Sequence, residues 1–250
     1  MTLVAILVQP ALWSLSQWQW RRLDQRLTYN HVVLHDQALA PVPIGALTHT
    51  KPSPDGIQYG TDSEWRSVYA TGTWDVTHQV LVRKKSQESD LGFWVITPLV
   101  LTDGSVLMIN RGWRAAEKSA TDTPSVITPP NGVVETLGRI RNVKTRSKPK
   151  PNDLPIGQVD VVAPQEIVSS NTTVSDVYLE MTNSRPNSLS ADLTAIPAPT
   201  ITEGPHRSYA LQWIFFMIMT VIGWIILVRN EVLERRQLKD DQEASSESAN

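Results

Sequence analysis

The sequence predicts a membrane α+β protein, with two transmembrane helices flanking a β-rich domain, barrel-like or sandwich-like, of about five to seven strands. Three observations predict it. From Ser208 to Val228 the chain carries no Asp, Glu, Lys or Arg. A helix of that length spans roughly 31 Å, which is the hydrocarbon thickness of a bilayer. A second charge-free run opens the chain and lasts until Arg21. Between the two runs, short stretches of alternating apolar residues are separated by turn signals, as in a sheet rather than a helical bundle.

The first run, residues 1–20, has three readings. A signal peptide wants a basic start and a small-residue cleavage site. No Lys or Arg precedes Arg21, and no A-x-A motif ends the run. A soluble core helix does not need so long a charge-free stretch. A transmembrane helix fits best, although Pro10, Gln9, Ser14, Ser16 and Gln17 weaken it. The tryptophans Trp13, Trp18, Trp20, Trp213 and Trp224 lie in or beside the two runs, where aromatic rings anchor a chain at membrane interfaces.

The expected organisation is therefore a first span at 1–20, a β-rich domain with linkers at 21–207, a second span at 208–228 and a charged tail at 229–250. Such a hairpin puts both termini on one side. Arg21, Arg22 and Arg26 follow the first span, and Arg229, Arg235, Arg236 and Lys239 follow the second. The charge balance does not set the orientation, because long loops escape the positive-inside rule.

Within the domain, Ser67–Val76 alternates and HQVLVRKK follows as a second strand. Gly92–Trp113 reads as a hairpin turning at Thr102-Asp103-Gly104-Ser105, since Asp-Gly between apolar runs supplies the positive φ of a tight turn. GVVETLGRIRNV, GQVDVV and DVYLEMT read as further strands. Pro164–Ser170 reads as a short helix with proline in its first turn. The segment from Ala40 to Gly60, the basic, proline-rich Lys144–Asp153 and the stretch before Pro205 read as loops. The acidic, serine-rich end reads as disordered.

Composition narrows the function. The chain has 250 residues, a formal net charge of −2 and no cysteine. The charge lacks the basic footprint of a nucleic-acid binder. The missing cysteine excludes disulfides, thiolate metal sites and cysteine nucleophiles. No nucleophile elbow, zinc-binding helix or phosphate loop is present.

His206 stands just outside the second run. On a helix starting near Pro205 it shares a face with Tyr209, Ala210, Trp213 and Met217. Two readings stand: an axial ligand to haem, with Arg22 or Arg207 for the propionates, or an interfacial anchor. His31 and His35 are four apart on a solvent-facing helix. His49 and His78 have no partner motif. Arg111 either binds an anion or pairs with an acidic side chain while Gly112 permits a turn.

Four stretches then resemble one family. LSQWQWRRLDQR carries Trp18, Gln19 and Arg22, with Ser16 where a glycine is usual. VYATGTWD resembles the family's aromatic-Asp strand. GFWVITPLVLTDGSVLMINRGW contains Thr97-Pro98-Leu99 and Asn110-Arg111-Gly112-Trp113. HRSYALQW begins at His206. In this order they are similar to the Surfeit-locus-one family of cytochrome c oxidase assembly factors, while residues 114–205 match loosely. The resemblance implies a two-pass membrane protein with an extracytoplasmic domain and so cytoplasmic termini, and the lack of a basic, serine-rich transit peptide favours a bacterial plasma membrane over a mitochondrion. It implies an assembly factor without turnover, helping haem reach the catalytic subunit of a haem-copper oxidase. Haem a, bound transiently by His206 with Tyr209 and Trp213, is the implied cofactor. Oxidase subunits, a haem a synthase and the lipid bilayer are the implied partners. A membrane scaffold binding oxidase subunits without a cofactor is the alternative.

Overall fold

A computed structural model describes residues 2–47, 63–117, 122–143, 154–168 and 172–247, with side chains as far as Lys239. The chain divides into two compact units, Met1–His31 with Thr200–Asn250, and Val32–Pro199. His49 and the basic Lys144–Asp153 segment lie outside the described residues.

The first unit is an antiparallel helix pair. Helix α1 covers Thr2–Ala38 and helix α3 covers His206–Glu247. Among the described helices one, over His206–Lys239, is long and apolar enough to cross a membrane. The register between the two helices is fixed at several points. Trp224 Nε1 donates to Thr2 Oγ1 (3.1 Å), Ser16 Oγ donates to the Ala210 carbonyl (3.1 Å), and Asn30 Nδ2 donates to the Thr202 carbonyl (3.1 Å). Residues 2 to 19 of α1 therefore run alongside residues 206 to 224 of α3. Helix α1 does not stop at residue 20. Nothing in residues 21–38 breaks it, because proline and glycine are absent there. The backbone of α3 is likewise helical to Glu247, where the acidic tail predicts disorder; Ala, Glu, Lys and Gln are good helix formers.

Among the described residues the second unit holds eight strands, one more than the upper expectation. They are β1 (Val42–Pro43), β2 (Ser67–Trp74), β3 (Val80–Gln87), β4 (Asp90–Leu101), β5 (Val106–Ala115), β6 (Val133–Asn142), β7 (Gln158–Val159) and β8 (Val174–Arg185). The unexpected strand is β1, two residues in a proline-rich segment with no alternation to betray it. The short helix α2 (Pro164–Ile167) has proline at its start, as expected.

The strands form one mixed sheet in the order β1-β2-β6-β8-β5-β4-β3-β7, and β2 also pairs with β4. That last pairing, Gly72–Trp74 against Leu99–Leu101, closes β2, β6, β8, β5 and β4 into a ring. Within the ring β5 and β8 are parallel and the other pairs antiparallel. The closure needs a bare backbone, since a β-carbon at Gly72 would sit 2.2 Å from the Val100 carbonyl oxygen. The ring encloses a core of Val68, Ala70, Leu99, Leu107, Ile109 and Leu179, among others. The opposite face of β4 and β5 presents Ile96, Val106 and Met108, which pack against Val162 and Val168 around α2. Strand β5 is thus buried on both faces, which is why its sequence is apolar rather than alternating.

Candidate functional site

The helix pair carries a cleft of about 400 Å³ lined by Arg22, Gln25, Arg26 and His206. His206 opens α3 and is half-buried. Its Nδ1 lies 2.9 Å from Oε1 of Gln19, which is itself buried. Gly204, at φ +68, precedes it in the turn that starts the helix; a β-carbon there would lie 3.5 Å from His206 Nε2. Arg22 and Arg26 are one helical turn apart on α1, so their side chains emerge on one face. Arg22 Nη1 donates to Gln25 Oε1 (3.2 Å), and its guanidinium lies 5.7 Å from the Trp18 ring centroid. Neither Arg22 nor Arg26 is ion-paired among the described residues.

The cleft brings His206 and Arg22 together, and Gln19 contacts His206 without lining it. Arg207 and Tyr209 are exposed and do not line it. On α3 the face toward α1 is His206, Ala210, Trp213 and Met217, with Ala210 fully buried. Tyr209 falls off that face. Trp213 is half-buried, with its ring edge-on to Phe216 at 5.9 Å.

The second unit places Pro98, Asn110, Arg111, Gly112 and Trp113 in a different role. Arg111 is fully buried. Its Nε and Nη2 donate to the Ser188 carbonyl (3.3 and 2.9 Å), its Nη1 to Gln79 Oε1 (3.2 Å), and its Nη2 also to the Ile127 carbonyl and Ser190 Oγ (both 3.3 Å). Neither expectation for Arg111 holds: its partners are neutral oxygens, not an acid, and they leave it no face for an anion. Burial pushes its pKa down to about 10, with Asp192 pulling the other way. Gly112 is not at a turn. It lies in β5 opposite Val95, where a β-carbon would come 2.8 Å from the Thr194 carbonyl oxygen. Asn110 Oδ1 accepts from the Gly112 N–H (3.2 Å), and Trp113 Nε1 donates to the Lys85 carbonyl (2.9 Å). Trp113 and Thr194 exchange backbone bonds of 2.7 and 2.8 Å. Pro98 lies where β4 exchanges β3 for β2 as its neighbour, so its missing N–H disrupts no ladder. Its carbonyl accepts from the Asp75 N–H (2.9 Å).

Among the described residues no cluster of three or more His, Asp or Glu could hold a metal ion. His31 and His35 are exposed on α1. His78, for which the sequence shows no partner, lies 2.6 Å from Asp75 Oδ2. Glu180 is buried between Arg139 (3.3 Å) and Arg141 (3.8 Å). Burial raises its carboxyl above the ordinary value, and the two arginines offset part of that rise.

The family model described as the SURF1 family matches residues 6–218, which includes both the cleft and the strand motifs. The chain belongs to the SURF1 family. An uncharacterised SURF1-like protein of Mycobacterium bovis is 25% identical over 228 residues, covering 90% of this chain and 80% of the relative. One of Mycobacterium tuberculosis matches with the same figures. A SURF1-like protein of Dictyostelium discoideum is 42% identical over 53 residues, or 21% of this chain and 20% of the relative. In this SURF1 chain the sequence reading missed Gln25 and Arg26 as parts of the cleft. The spacing 19, 22, 26 on one helical face was the available signal. Treating residue 20 as the end of α1 concealed it.

Proposed function

We propose that this SURF1 protein is an assembly factor for a haem-copper cytochrome c oxidase, acting without turnover as a two-pass protein of a bacterial plasma membrane. The β-domain would engage an oxidase subunit or a haem a synthase. The cleft at His206 would hold haem a transiently.

The membrane reading rests on the inverted polarity of the helix pair. In the part of α1 up to residue 20 the buried side chains are polar, Ser16 and Gln19, while Leu3, Val4, Ile6, Leu7 and Trp13 are exposed. Water would select the reverse pattern. A bilayer selects this one, because hydrocarbon tolerates exposed leucine and polar groups seek partners between helices. The pair register then sets the apolar half of α1 at the depth of the α3 span. A reporter fused after Asn250 is expected to be active only in the cytoplasm; periplasmic activity would overturn the two-pass arrangement.

The haem reading rests on one observation above the others: His206 shares a cleft at the end of that span with two arginines that have no ion pair among the described residues. The donor set fits haem. The imidazole has one nitrogen engaged by Gln19 and the other without a partner among the described residues, and Arg22 and Arg26 suit two carboxylates. Haem, when bound, supplies an iron for the imidazole and propionates for the guanidinia. The chain's part is to hold and orient it. Protein purified from cells making haem a is expected to carry haem, and His206→Ala to lose at least about 10-fold of it. A His206→Ala protein with stoichiometric haem sinks the ligand role. The scaffold reading draws on a specific observation too, because Tyr209 and Trp213 do not wall the cleft. Wild-type protein without haem absorption, yet still associated with the oxidase, would favour it.

A further inference from the structure

We propose that Gln19 is a positioning residue that fixes the tautomer of His206, so that Nδ1 carries the proton and Nε2 presents a bare lone pair. This deepens the haem reading, on which its consequence for ligation rests; the tautomer itself does not depend on it.

A neutral imidazole has one N–H and one lone pair, and the partner of one nitrogen decides the state of the other. The Gln19 amide oxygen, 2.9 Å from Nδ1, is an acceptor, so Nδ1 is the donor. Gln19 is 8% exposed, and α1 is held to α3 one turn away by the Ser16 bond to Ala210, so the amide is not free to drift. An unconstrained imidazole in water favours the opposite tautomer, with the proton on Nε2 and no lone pair there to give. The contact with Gln19 therefore works against the intrinsic preference. Gly204, in the turn before His206, has a φ of +68, a left-handed value that favours glycine. The ligand class implied is a metal centre that takes a neutral imidazole through Nε2, flanked by carboxylates that Arg22 and Arg26 can meet.

The test reads the ring nitrogens directly. Full-length protein in detergent, labelled with ¹⁵N-histidine, is examined at about pH 8, above the usual imidazole pKa. His206 is assigned by its loss in His206→Ala. The wild type is expected to show a protonated Nδ1 and a bare Nε2. Gln19→Leu is expected to reverse the two, and Gln19→Glu to restore the wild-type pattern, because a carboxylate also accepts from Nδ1–H. Added ferric haem b is expected to bind Gln19→Leu about 10- to 100-fold more weakly than wild type. A wild type protonated at Nε2 overturns the assignment, as does Gln19→Leu with the pattern unchanged. A wild type with the expected nitrogens that neither binds added haem b nor carries haem when purified from cells making haem a sinks the haem reading and leaves the tautomer assignment standing.

Discussion

Replacing Arg111 with alanine is expected to destabilise the β-domain by about 3–5 kcal/mol, a large fraction of the stability of an ordinary domain. The reasoning starts from what the guanidinium satisfies. The Ser188 and Ile127 carbonyls, Gln79 Oε1 and Ser190 Oγ all accept from it inside the fold. Removing the donors leaves buried acceptors unmet, at about 1–3 kcal/mol for each that water does not reach. The vacated volume adds a cavity, and the ring of Trp74 loses a cation 5.9 Å from its centroid. Removing the charge relieves some burial cost, which keeps the expected loss below the sum of these terms. Arg111→Lys is expected to recover less than half of it, because one ammonium cannot reach acceptors on three separate segments. Urea unfolding of the full chain in detergent, followed by tryptophan fluorescence, measures both. A midpoint for Arg111→Ala within error of wild type would show that these bonds contribute nothing net.

The signature residues thus divide by physical task. Arg111 and Trp113 strap the segment from Ser188 to Thr194 across β5, Gly112 leaves room for it, and Asn110 holds the Gly112 N–H. Gln19, Arg22 and His206 line up at the end of the helix pair. A motif read in sequence does not announce which task it serves, and the arginine that looked most like an anion binder is the one with no exposed face. Of the two arginines with open faces, Arg22 was legible as a propionate partner and a motif residue, and Arg26 only as a helical spacing.

The hairpin was the most legible part of the fold. Thr102-Asp103-Gly104-Ser105 turns as its residues require, with Gly104 at φ +82 and Asp103 Oδ1 accepting from Ser105 N–H and Oγ (2.9 and 2.6 Å). Local chemistry alone decides such a turn. The closure of the ring was not legible, because three residues of β2 meet three of β4 across the sheet and nothing in either run marks its partner. The continuation of α1 beyond residue 20 was hidden by a change of surroundings rather than of backbone. The residues turn from apolar to charged while helix propensity stays favourable throughout.

The helix crossing is where this geometry is most exposed to a single change, and Ala210→Leu is expected to abolish the His206–Gln19 arrangement while Ala210→Gly preserves it. Ala210 and Ser16 are both fully buried, and the Ser16 hydroxyl reaches the Ala210 backbone carbonyl at 3.1 Å. A side-chain oxygen that close to the partner's backbone means small residues set the approach of the two helices, as in membrane helix pairs generally. A leucine has no room there. Forcing it in costs about 1–3 kcal/mol, and the helices relieve that strain by separating. His206 lies one turn from Ala210 and Gln19 one turn from Ser16, so the separation falls directly on their 2.9 Å contact. Losing the Ser16 hydroxyl alone, in Ser16→Ala, forfeits one interhelical hydrogen bond of about 0.6 kcal/mol and should leave the contact intact. The ring nitrogens of His206 report the outcome: reversed protonation in Ala210→Leu, as in Gln19→Leu, with wild-type protonation in Ala210→Gly and Ser16→Ala. Wild-type nitrogens in Ala210→Leu would mean that the close crossing does not position the histidine, and that the contact with Gln19 stands on the two side chains alone.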